Sequence, residues 1–185
     1  MDIDALALLH HENLPKSSPS LLGLDYVRST YRYFSFSMDE YIILMSFEDN
    51  EYSGLSLYSA NPSTLGERLL KNTPLIPALF RMCLSNWPGT TYRSLHTMLS
   101  GPSNEKPELL YLCVDPSARG AGLGAKLVKE TISYSASRND EILSVRCDDH
   151  LIEFYTKLGF TPSRKQEGLK NFLTYSQAFI SPNKR

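Results

Sequence analysis

The stretch that decides the fold runs from Val114 to Gly124 and reads VDPSARGAGLG. An apolar run, LLYLCV at residues 109–114, leads into it, and an amphipathic helical pattern over residues 123–137 follows it. A strand that feeds a glycine-rich turn into a helix presents several backbone N–H groups at the positive end of the helix dipole, which suits a pyrophosphate. Glycine lets the anion come close to the backbone. A P-loop would need Gly-Lys-Ser/Thr, but Gly124 is followed by Ala125 and Lys126. A dinucleotide fingerprint starting at Gly120 or Gly122 would need glycine at Ala125 or Leu127. Both are excluded, and what remains is Arg-x-x-Gly-x-Gly over residues 119–124.

Outward from this turn the C-terminal half reads as strand 109–114, helix 123–137, strand 142–147 and helix 150–158. A β-α-β-α order of this kind implies a parallel pair joined by a crossover helix. A turn at Pro162 and a polar stretch then lead to a closing strand over 171–179. Upstream, residues 4–12 and 20–34 read as helices. The runs 40–47 and 53–60 read as an antiparallel hairpin. Residues 61–107 read as an insertion, with helical stretches at 64–71 and 74–85 before a loop-rich passage carrying Trp87, Pro88, Gly89, Gly101 and Pro102. The fold class expected is α/β, one domain over 1–185, with a central mixed, largely antiparallel sheet flanked by helices.

The 185 residues are 42% apolar and 21% charged, ordinary usage for a globular domain able to bury a core without staples. With 19 basic and 20 acidic residues the net charge is −1, which argues against a nucleic-acid binder. The charge is unevenly spread: residues 61–100 hold Arg68, Lys71, Arg81 and Arg93 against Glu67 alone. Cys83, Cys113 and Cys147 are odd in number, lack metal-ligand spacing and sit in apolar runs. They read as small core side chains in a reducing, cytoplasmic setting, with no metal site expected. No secretory leader and no apolar run of about 18 residues is legible, so no membrane association is expected.

The turn, the helix after it and the segment DDHLIEFYTKLGF at 148–160 together resemble the GCN5-related N-acetyltransferase (GNAT) superfamily. The second segment is similar to that superfamily's signature ending in Tyr-x-x-x-Gly-Phe, and the resemblance covers about residues 108–160. It implies the GNAT fold and acetyl-CoA as cosubstrate. It further implies that the backbone amides of Arg119, Gly120, Ala121, Gly122, Leu123, Gly124 and Ala125 bind the pyrophosphate. The strand at Leu112, Cys113 and Val114 would splay from its neighbour to pair with the pantetheine arm. Asp148 would contact the cofactor where the family often has Asn. The family's first strand usually precedes the opening helix, so a sheet one strand short is expected.

Tyr155 has two readings. With Leu151, Phe154 and Leu158 it lies on a helical stripe, so it can be a core tyrosine; the resemblance implies instead that it protonates the departing CoA thiolate. A lysine-like amine is less than ~0.1% unprotonated at neutral pH, so a base is expected. The resemblance implies Glu108, and the alternative is a solvated carboxylate at the start of a strand. His10 and His11 read as exposed helix positions, His150 as a helix-start residue, and His96 as a further candidate base. Leu75, Ile76, Leu79, Phe80, Cys83 and Leu84 form a stripe expected in the core, the alternatives being a hydrophobic acceptor groove or, if exposed, a homodimer contact.

The function expected is transfer of acetyl from acetyl-CoA to a primary amine of a small molecule, with the Val114 N–H stabilising the oxyanion. A nucleotide-linked amino sugar would place its phosphates on two of Arg68, Lys71, Arg81 and Arg93. The alternative is an acyl-CoA-binding or regulatory module that kept the fold and lost catalysis.

Overall fold

The computed structural model describes residues 1–37, 41–48, 51–74, 106–165 and 171–176. Helix α1 (Ile3–Asn13) starts at Asp2, whose carboxylate accepts from the N–H groups of Asp4 and Ala5 at 3.0 and 3.1 Å. It buries Leu6, Ala7, Leu9 and His10. The single helix expected over 20–34 is two pieces, α2 (Ser18–Leu21) and α3 (Leu24–Phe36). The break is Gly23, whose φ of +97° is incompatible with a helix and open to glycine. The hairpin follows as β1 (Tyr41–Glu48) and β2 (Glu51–Ser59), then α4 (Leu65–Asn72).

The C-terminal half comprises β3 (Glu108–Val114), α5 (Leu123–Ser137), β4 (Ile142–Cys147), α6 (Ile152–Lys157), β5 (Thr161–Lys165) and β6 (Asn171–Ser176). The six strands described form one sheet in the order β1-β2-β3-β4-β6-β5, with β3 and β4 the parallel pair and the other neighbours antiparallel. Strand β5 replaces the expected turn at Pro162. Proline cannot donate to a ladder, and it is tolerated here because β5 is the last strand of the sheet, with its register slipping between Pro162 and Arg164.

Each sheet face carries its own core. On one, α1 and α3 set Leu6, Leu9, Val27, Tyr31 and Phe34 against Leu55, Leu57 and Cys113. On the other, α5 and α6 set Val128, Ile132 and Tyr155 against Tyr58, Leu109, Leu143 and Val145. Alternation along β3 therefore sends Cys113 to the first face and Leu112 to the second, where Leu112 and Val114 meet Ala118, Leu123 and Leu127. Among the described residues no helix is long and apolar enough to cross a membrane.

His10 corrects an expectation. Its side chain is fully buried rather than on an exposed face: Nδ1 lies 2.8 Å from the Tyr31 hydroxyl and Nε2 2.7 Å from Ser17 Oγ. Burial, then the nearby His11, pushes its pKa down to about 3. Both ring nitrogens have partners while the ring is neutral, which explains how a histidine replaces an apolar residue in this core.

Candidate active site

Hydrogen-bond alternation along β3 opens a gap in the sheet. The Asp115 N–H donates to the Ser53 carbonyl at 2.8 Å. Bonded and non-bonded pairs alternate in an antiparallel ladder, so the registered pairs Gly54–Val114 and Ser56–Leu112 are non-bonded ones. Leu112 and Val114 thus turn their N–H and C=O groups away from β2, toward β4. The parallel pairing with β4 is confined to Glu108–Ser144 and Leu109–Val145. Beyond Leu109 the strands part, and the inward-facing backbone groups of Leu112 and Val114 front the gap like an unpaired sheet edge. An extended chain carrying amides is the natural occupant of such an edge.

The turn leaving β3 continues this line of donors. Asp115 caps the short turn Pro116–Ala118, accepting from Ser117 N–H at 2.9 Å and Ser117 Oγ at 2.5 Å; these bonds hold its carboxyl below its ordinary pKa. Gly120 and Gly122 have φ of +86° and +81°, and a Cβ on either would meet no heavy atom within 4 Å. Backbone conformation, not crowding, therefore demands glycine at both positions, and the space above them is open. Gly122 begins α5 without a side-chain cap, and the Lys126 N–H is bonded to the Gly122 carbonyl at 3.0 Å. The N–H groups of Leu123, Gly124 and Ala125 have no acceptor within the helix. Open space, amides of a helix start and glycine at positive φ fit a pyrophosphate, so the chain has the features needed to hold acetyl-CoA.

The other candidate residues distribute around this gap unequally. Tyr155 on α6 is 4% exposed, edge-on to Phe154 and Phe160, and burial followed by the neighbouring Cys147 raises its pKa above the ordinary phenol value. Glu108 is 1% exposed, so it is not a solvated strand-start carboxylate. It accepts from Arg146 Nε at 2.5 Å, at the end of β3 where β4 is still paired. Asp148, at the end of β4, is exposed, as is His150, and His11 is half-buried. Cys113 is buried, which pushes its thiol up to about 12 and leaves it an inert side chain. Lys71 is spent on an exposed pair with Glu67 at 2.6 Å, and Arg68 is half-buried on the same helix. Arg81, Arg93, Cys83, His96 and the stripe from Leu75 to Leu84 lie outside the described residues.

Two residues had gone unremarked. Arg146 was legible as a lone charge inside the apolar strand run ILSVRC. Asn13, whose Oδ1 accepts from Arg119 Nη2 at 2.8 Å, had no local signal because its partner lies 106 residues away.

Comparison with known proteins agrees with this geometry. Residues 94–162 match the family model described as the acetyltransferase (GNAT) domain. A 56-residue stretch is 36% identical to glucosamine 6-phosphate N-acetyltransferase 1 of Oryza sativa subsp. japonica, covering 30% of this chain and 34% of that protein. The match thus spans about a third of that relative's length. Among solved structures, a GNAT-family protein from Desulfovibrio desulfuricans superposes with a TM-score of 0.61 at 14% identity, over 96% of this chain and 95% of that one. The PaiA N-acetyltransferase of Thermoplasma acidophilum, solved with coenzyme A, gives 0.56 at 14% identity over 95% and 92%. Tetrahymena GCN5 gives 0.54 at 12% over 94% and 85%. At such identities these structures speak for the fold alone. Residues 94–162, which hold the turn and the gap, thus match the GNAT acetyltransferase domain, and the fold is that of GNAT proteins over nearly the whole chain.

Proposed function

We propose that this chain is an N-acetyltransferase that moves an acetyl group from acetyl-CoA to the primary amine of a small molecule. The observation that carries the reading is the continuous line of inward-facing backbone donors, from the gap side of β3 into the turn with Gly120 and Gly122 and on to the start of α5. When bound, acetyl-CoA supplies an activated thioester. The amides from Arg119 to Ala125 bind its diphosphate, and the gap-side groups of Leu112 with the Val114 N–H orient the pantetheine arm.

Strand register bears on which N–H serves the acyl carbonyl. Glu108 and Val114 stand six residues apart, about 20 Å along a strand, too far to serve one reacting centre together. Tyr155 neighbours Cys147, two residues past the last parallel pair, and Leu112 is three residues past it on β3. These three positions support an acyl end near Leu112. Its N–H then donates to the developing oxyanion, and the Val114 N–H is left to the pantetheine arm. Tyr155, a phenol that is protonated at neutral pH and whose pKa burial raises further, holds the proton that the leaving sulfur needs. Glu108 would accept the amine's proton through water, with Arg146 fixing its carboxylate.

An amino sugar bearing phosphate is the acceptor class favoured by the rice relative's name and by the basic excess over residues 61–100. The Glu67 pair leaves Lys71 little net charge to offer. The deciding experiment measures CoA binding by calorimetry and thiol release with a panel of amines. Binding together with turnover on amino sugar phosphates supports the reading. Binding without turnover on any amine would favour the non-catalytic alternative.

A further inference from the structure

Arg119 carries the one cationic side chain of the turn, while the resemblance assigns only its backbone amide to the diphosphate. In the structure that side chain is tied to β3 and α1. Its Nε donates to the Val114 carbonyl at 3.0 Å, and its Nη2 donates to Asn13 Oδ1 at 2.8 Å. The Val114 carbonyl is one of the gap-side groups left without a ladder partner, so Arg119 closes an acceptor at the edge of the sheet and ties the turn back onto the strand it leaves. Asn13 is itself held: its Nδ2 donates to the Leu9 carbonyl at 3.0 Å, which fixes the amide with its oxygen toward Arg119. The same end of α1 carries His10, whose ring packs edge-on against Tyr111 of β3 with 4.6 Å between centroids.

Resting on the acetyl-CoA reading, we infer that Asn13 and Arg119 form a clamp between α1 and the turn after β3, so that a helix making no cofactor contact sets the affinity for CoA. Arg119 is a positioning residue in this scheme. It acts through the Val114 carbonyl and the shape of the turn, not through a phosphate contact. A hydrogen bond from a charged donor is among the stronger ones, and losing it frees the turn to sample shapes in which its amides no longer converge.

The test is a double-mutant cycle on CoA affinity, read by calorimetry at low and high salt, with Tm recorded for each variant. Asn13→Ala should raise the Kd for CoA roughly three- to tenfold. Arg119→Ala should raise it by at least as much, and the double variant should be no worse than Arg119→Ala, because both remove one link. Asn13→Asp keeps an acceptor for Arg119 and should restore near-normal binding. The low-salt to high-salt ratio of Kd should be the same for Arg119→Ala as for the parent, since no phosphate contact has been lost. Additive effects, or a flattened salt dependence in Arg119→Ala, would overturn the clamp and make Arg119 a direct phosphate ligand. Normal CoA binding by Asn13→Ala would overturn it too. A parent protein that binds no CoA would instead sink the cofactor reading, which keeps the two failures distinct. Asn13 is half-buried at the last position of α1, and an unchanged Tm separates loss of the clamp from loss of the fold.

Discussion

Strands β3 and β4 lie side by side, run the same way, and each passes through a short turn into a helix, yet the two turns differ in backbone conformation and in local charge. After β3 come Gly120 and Gly122 at positive φ, open space above them, and the uncapped start of a 15-residue helix. After β4 come Asp148 and Asp149, both exposed, a single tight turn at Asp149–Leu151, and a helix of six residues. The start of α6 also lacks a side-chain cap, so a bare helix start is not what distinguishes the two turns. Backbone reach and local charge do. The turn after β3 is also backed, through Arg119 and His10, by α1, and no such tie holds the Asp148 side chain among the described residues.

The largest effect should come from making the first turn resemble the second. Gly122→Asp adds a negative charge where the diphosphate would sit, and its Cβ meets nothing within 4 Å, so the protein should fold with only the modest cost of an L residue at φ +81°. CoA affinity measured by calorimetry should fall by roughly 100-fold or more, equivalent to about 3 kcal/mol. An unchanged Kd would dissolve the contrast between the turns.

Tyr155→Phe tests what the second turn and α6 contribute. Turnover should fall on the order of 100-fold, with CoA affinity and Tm nearly unchanged, if the hydroxyl gives up a proton during reaction. Lost stability with normal turnover per folded molecule would return Tyr155 to the core.

The backing of β3 by α1 has a pH signature. His10 binds a proton at about 3 when folded and near its ordinary 6.5 when unfolded, so the unfolded state holds more protons between those values. Stability should therefore be complete above pH 6.5 and decline as the pH falls toward 3. Chemical denaturation at pH 5 should show a loss of about 2 kcal/mol relative to pH 7 from this group. His10→Gln should flatten that slope, and an unaltered slope would assign the acid sensitivity elsewhere.

Asp148→Asn sharpens the comparison at its weakest point. It removes one of the two charges after β4, and with the side chain exposed and screened the CoA Kd should change only about two- to threefold. A larger change would mean that Asp148 reaches the cofactor.

What was legible in the sequence follows the range of the interactions involved. Residues 123–137 and 142–147 were bounded correctly because periodicity, the glycines before residue 123 and the charged and polar residues at 138–141 and 148–149 are local signals. Gly23 divided a helix that looked continuous because its φ is set by how α2 and α3 pack, and one glycine in an apolar stripe does not announce this. Strand β5 was hidden by Pro162, which reads as a turn unless its edge position is known. His10 resembled a surface residue because its partners, Tyr31 and Tyr111, are 21 and 101 positions away. The need for glycine in the turn was readable from its spacing. That its arginine faces α1 was not, since that depends on a tertiary neighbour.

The Pro107 carbonyl accepts both the N–H and the Oγ–H of Ser144, each at 2.9 Å. The rivet sits at the vertex where β3 and β4 are joined, immediately after the long connection from α4. Mechanically it is an anchor point: a pull or a rearrangement upstream of Pro107 is borne by β4 and the sheet behind it before it can reach the open arms of the fork. Such an anchor separates two evolutionary tasks. The connection can be lengthened, shortened or rewritten, and the spacing of Leu112, Val114 and the turn beyond them stays as it was.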